Sequence, residues 1–145
     1  MNFTTIERCN KTTDDLIAKE ETTFLQQPIE FLKANQEHYI YLESADLEAH
    51  KMDAVVIEFD EMFEVYTALF GLRIQKKHGP AMKDYFKEHI TSMLGSSSAS
   101  FSGDEGIWEI NIAFDALEGF TGKETIEEAT AILVSFIDTM LAEIM

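Results

Sequence analysis

The sequence predicts an α+β domain in which helices dominate and a small antiparallel sheet is built on a hairpin over residues 97–114. Three observations carry that expectation. From Met52 to Phe70 the large apolar residues step by three and four, the spacing that collects side chains on one helix face. From Ile107 to Phe114 they alternate instead, with Trp108, Ile110, Ile112 and Phe114 on one side and Glu109, Asn111 and Ala113 on the other, the period of a half-buried strand. A third stripe runs through Ile126, Ala129, Leu133, Phe136, Ile137, Met140, Leu141 and Ile144. With 145 residues the expected organisation is one domain, residues 1–145, long enough for one core.

Taken in order, residues 1–11 leave strand and lead-in open, with Phe3 and Ile6 as the apolar positions. Thr12, Thr13, Asp14 and Asp15 combine hydroxyl caps with acids, which suits a helix start because the macrodipole favours negative charge there. That helix would carry Leu16, Ile17, Phe24 and Leu25. Pro28 lacks an N–H and clashes with a preceding turn, so the helix breaks near Gln26 and restarts at Pro28, running to about Asn35. His38 to Glu43, rich in aromatic and β-branched residues, reads as a strand with continued helix as the alternative. Ser44 would cap the long helix, carrying Leu47 and then the 52–70 stripe, which closes with Leu72 and Ile74.

Gly79-Pro80 marks a turn, and Pro80 suits the first position of a helix bearing Met82, Tyr85, Phe86, Ile90, Met93 and Leu94 and ending at Gly95. Gly95-Ser-Ser-Ser-Ala-Ser is a loop entering a strand in which Ala99 and Phe101 alternate. Gly103–Gly106 turns the hairpin. A lone hairpin is marginal in water, so Tyr39–Leu42 is the expected third strand. After a loop at Gly119–Lys123, Thr125 and Glu128 have capping-box spacing and open the last helix, expected to dock on the long helix and the hairpin.

Composition narrows function more by exclusion than by indication. The chain has 11 Lys and Arg against 27 Asp and Glu, a net charge of −16. It should repel nucleic-acid backbone and anionic membrane, and favour a basic protein partner. Cys9 is the only cysteine, which excludes an intrachain disulfide and a thiolate cluster and suits a reducing cytosol. The opening Met-Asn-Phe-Thr-Thr-Ile-Glu-Arg lacks the basic and apolar regions of a signal peptide, and no run approaches a membrane span. Glycine-rich phosphate loops, histidine pairs with metal-ligand spacing and a nucleophile elbow around Ser96, Ser97 and Ser98 are all missing, so neither cofactor nor metal is expected.

The acids of the long stripe, Asp53, Glu58, Asp60, Glu61 and Glu64, would form one wet anionic back. Asp60, Glu61 and Glu64 lie close enough on a helix to share a hard cation, although no turn or carbonyl completes a shell. The expected function is therefore a non-enzymatic acidic interaction or regulatory domain of inhibitor or immunity type, binding a basic partner through these five residues. The terminal helix has enough apolar face to leave room for a homo-oligomer. A second expectation is a small-ligand pocket between helices and sheet, edged by Tyr39, Tyr41, Tyr66 and Tyr85.

The one basic island runs from Arg73 to His89, with Arg73, Lys76, Lys77, Lys83 and Lys87 against Asp84 and Glu88. Basic residues there would suit the C-terminal end of a long helix. Within it, Arg73-Ile-Gln-Lys-Lys-His78 spells Arg-x4-His and resembles the signature of the HEPN ribonucleases. That resemblance implies an all-helical protein in which Arg73 and His78 act on a scissile phosphate. Ile74 stands where the family carries a polar residue.

Overall fold

A computed structural model describes residues 1–90 and 97–145. Seven strands form one antiparallel sheet in the order β2-β1-β3-β4-β5-β7-β6. They are β1 (Thr5–Asn10), β2 (Leu16–Lys19), β3 (His38–Glu43), β4 (Met52–Asp60), β5 (Val65–Leu72), β6 (Ser98–Ser102) and β7 (Ile107–Ala113). Among the described residues four α-helices accompany them: α1 (Glu30–Ala34), α2 (Ala45–Ala49), α3 (Gly79–His89) and α4 (Ile126–Ile144). The fold is mixed α+β, as expected, but the sheet is neither small nor subordinate to the helices.

The largest correction falls on 52–70, which is a hairpin. In β4 the buried positions Val55, Ile57 and Phe59 alternate with more open ones, and the strand pairs with β5 through Val55↔Phe70, Ile57↔Ala68 and Phe59↔Tyr66. Val55, Val56 and Ile57 are β-branched, and such side chains lose less freedom on a pleated surface than against a preceding helical turn. Two alternating strands separated by a four-residue turn happen to mimic the three-and-four spacing of a helix. Thr12–Asp15 likewise belongs to the β1–β2 connection and not to a helix, with Leu16 and Ile17 in β2. Ser44 does cap a helix, its side chain accepting from the Asp46 N–H, but α2 has only five residues.

Other expectations hold closely. The strand over His38–Glu43 forms as β3, and the 97–114 hairpin forms as β6 and β7 around the expected turn. The strand that joins the hairpin is β5 and not the expected Tyr39–Leu42, because β3 lies between β1 and β4. Pro80 sits in the first turn of α3, which ends at His89 because Ile90 is already extended. Met93, Leu94 and Gly95 lie outside the described residues, as does Ser96. Both halves of the Thr125/Glu128 capping box are made, opening a 19-residue α4.

The core lies between one sheet face and the helices. Ile126, Ala129, Leu133, Val134, Ile137 and Met140 of α4 share a cluster with Ile40, Leu42, Val55, Ile57, Phe70 and Ile112 from the strands. The start of α4 is fastened to the segment before α1 by Ile126 N–H to Gln27 O (2.9 Å) and Ile29 N–H to Glu124 O (2.8 Å). The opposite face carries cross-strand rows. One crosses all seven strands as Lys19, Glu7, Tyr41, Val56, Leu69, Asn111 and Ser98. A parallel row runs Leu16, Cys9, Tyr39, Glu58, Thr67 and Ala113. No helix of the described residues is long and apolar enough to cross a membrane.

Candidate functional site

Two turns meet at one end of the sheet, because Asn10 pairs with His38 while Tyr39 pairs with Glu58. The β4–β5 turn has neither glycine nor proline. Its shape comes from the Asp60 carboxylate, which accepts from the N–H groups of Met62 (2.9 Å) and Phe63 (3.1 Å), and from Glu64 at φ 55°. An aspartate that satisfies the backbone two and three residues ahead fixes a tight turn. The consequence is exposure: Met62 is 84% and Phe63 46% accessible.

The β1–β2 turn is built alike. Asn10 Oδ1 accepts from Thr12 and Thr13 N–H at 2.8 and 3.0 Å, and Asp14 takes φ 62°. Beyond it, Leu16 and Ile17 are 50% and 43% accessible. Lys11 joins the two turns, donating to Phe59 O at 2.8 Å and lying 3.8 Å from Glu61 Oε1. Lys11, Glu58, Asp60, Glu61 and Met62 line an open hollow of about 600 Å³. Burial pushes the Glu58 carboxyl up from its ordinary value, Lys11 opposes that shift and Asp60 adds to it.

The structure therefore gathers Glu58, Asp60, Glu61 and Glu64 at one end and leaves Asp53 at the other. Seven residues of extended chain separate Asp53 from Asp60, roughly 23 Å. Asp53 is also engaged, its Oδ1 accepting from Arg73 Nε at 2.7 Å. The helical back that was to unite the five acids does not exist. Among the described residues no group of three or more metal-ligating side chains is placed to hold an ion.

The four tyrosines do not converge. Tyr66 packs against Phe59 and Phe120, with ring centroids 5.2 and 5.9 Å apart. Tyr85 stacks on His89 at 4.0 Å, beside an open groove of about 490 Å³ between α3 and α4. Tyr39 and Tyr41 stand on the other face of the sheet. Burial raises the pKa of Tyr41 and nearby Glu43, Glu7 and Asp53 raise it further. Burial also raises that of Tyr39, with Cys9 and Asp14 adding to it. Arg73 faces Asp53, and His78 precedes α3; the all-helical architecture implied by their spacing is not this fold.

Sequence reasoning missed Met62, Phe63, Leu16 and Ile17 as surface residues, placing the first two on the apolar stripe of a long helix and the other two on a shorter helix. A signal was present: the acid-rich run Asp60–Glu64 interrupts two strand-like segments, and Asp at its head favours a turn. Comparison with known protein families, with curated proteins and with solved structures finds no match to this chain.

Proposed function

We propose that this protein is a non-enzymatic binding domain that receives a basic protein partner on the turn-bearing end of its sheet. The observation that carries the reading is the exposure of Met62 and Phe63 among Glu58, Asp60, Glu61 and Glu64. Large apolar side chains serve as anchors when a partner pocket desolvates them, and methionine adapts to the shape it meets. Surrounding carboxylates speed encounter with a cationic surface and discriminate against an acidic one. Regulatory and inhibitor-type proteins use contacts of this chemistry.

The test is retention of cell proteins on the immobilised chain at low and raised salt, for the parent and three variants. Basic proteins should be retained by the parent, released by salt, and lost from both Met62→Ser and the Glu58→Lys, Glu61→Lys pair. Asp53→Asn, at the far end of the strand, should retain them. Undiminished retention by the first two variants would remove this end of the sheet from consideration.

A further inference from the structure

At the opposite end of β5 a group of lysines collects. There Leu72 pairs with Trp108, and the chain enters the turn Lys76–His78 and then α3. Lys76, Lys77, Lys83 and Lys87 line an open hollow of about 660 Å³ with Gly79, Pro80, Asp84 and Trp108. Four lysines against one aspartate make a concentrated positive site on a chain of net charge −16. Two of the lysines lie over aromatic rings, Lys83 Nζ 5.5 Å from the Trp108 centroid and Lys76 Nζ 5.7 Å from that of Phe101.

Charge alone would not make a site. Trp108 is only 4% exposed, yet its Nε1 has no hydrogen-bond partner among the described residues. A buried N–H without an acceptor is unfavourable. The indole lies against the start of α3: a Cβ on Gly79 would come within 2.6 Å of Cζ2 and Cη2 and 3.7 Å of Cε2. Nε1 is bonded to Cε2, so the unused donor stands beside the first turn of the helix. No side chain caps α3, and its macrodipole makes that end partially positive.

We infer that the lysine-lined hollow at the start of α3, floored by Trp108, is a binding site for a phosphoryl group on a small molecule. The ammonium groups and the indole N–H are donors; at the helix start Gly79 N–H already serves Lys76 O and Pro80 has none, so the helix contributes its dipole. Lysines act as rotatable point charges, which suit a compact oxyanion, whereas a planar carboxylate is matched best by the arginine fork, and the hollow contains no arginine. The ring is too buried to stack on a base, so the anion and not an attached heterocycle is recognised. The acidic remainder of the surface opposes a long polyanion such as nucleic acid.

Trp108 is the only tryptophan, so its fluorescence and its single indole N–H resonance report on this site alone. The full chain is titrated with inorganic tripolyphosphate at constant ionic strength. A saturable change in both signals is expected, weakened at least tenfold in Lys76→Ala, Lys83→Ala and unchanged in Lys33→Ala, Lys123→Ala. A response that sodium chloride reproduces at equal ionic strength would overturn the site, as would parental affinity in the Lys76, Lys83 variant. A free phosphate chain and an organic phosphate ester share this chemistry. Tighter binding of tripolyphosphate than of glucose 6-phosphate assigns the former, the reverse order assigns the latter, and either supports the site.

Discussion

Glu58 shows how far a residue's meaning depends on the element that carries it. On a helix it would be one solvated acid among several. In β4 it stands between Tyr39 and Thr67 of the flanking strands, and burial raises its carboxyl pKa above the ordinary 4.5. Between the ordinary and the raised value the folded chain holds a proton that the unfolded chain has released. Stability therefore falls as pH rises through that window, and the cost of the buried charge remains in full at neutral pH. Glu58→Gln should be more stable than the parent at pH 7, with the margin narrowing as pH falls towards 4.5. Urea unfolding at pH 7, 6 and 5 measures it, and a margin independent of pH would refute the assignment. The acids themselves were legible as a cluster in sequence, and most of them do meet. Met62 and Phe63 were not, since apolar residues three and four apart read as core until the turn between them is known.

At the scale of elements, the readable parts were those announced by local chemistry. Thr125 and Glu128 satisfy each other's backbone, Ser44 caps, Pro80 starts a helix and Gly103–Gly106 turns a hairpin. Each signal lies within a few residues of what it specifies. The β4–β5 hairpin had no such marker: its turn uses Glu64 with a positive φ where glycine would be expected, so no punctuation separated the strands. Pairing among β1, β3 and β4 joins residues tens of positions apart and leaves no local trace. The connection from α2 to β4 shares the same economy of glycine. Lys51 follows the helix cap at φ 61°, donating its N–H to Glu48 O at 2.9 Å. A side chain in this left-handed conformation costs about 1–2 kcal/mol, part of which glycine recovers after its larger loss of chain entropy. Lys51→Gly should therefore raise stability by about 0.5–1 kcal/mol. Thermal and urea unfolding would show it, and a destabilised variant would mean that the lysine side chain makes a compensating contact.

Taken whole, the molecule sets two sites of opposite local charge at the two ends of β5. The acidic, apolar-tipped turns occupy one end and the lysines around Trp108 the other, roughly 24 Å apart for an eight-residue strand. Sequence analysis matched the basic island to the end of a long helix. With that helix replaced by strands, Arg73 finds Asp53 while the lysines collect elsewhere. The separation orients an approaching partner before contact, a long-range effect that salt screens over about 10 Å at 0.1 M. Cationic and anionic ligands should thus occupy the two ends independently.

The sheet also stops without closing on itself. Among the described residues β2, with four residues, and β6, with five, each have a neighbour on one side only, and an unpaired strand is a template for another chain. Shortness and the irregular register beside Cys9 blunt the β2 edge, but they act at contact distance. At longer range, like charge opposes the approach of two copies, as in a colloid held in suspension by its own surface. That protection disappears at the isoelectric point, near pH 4.4. Light scattering across pH 7 to 4 should show growth centred there and reversed by salt-free return to neutrality; growth with no optimum near that pH would mean the edges are guarded by shape alone.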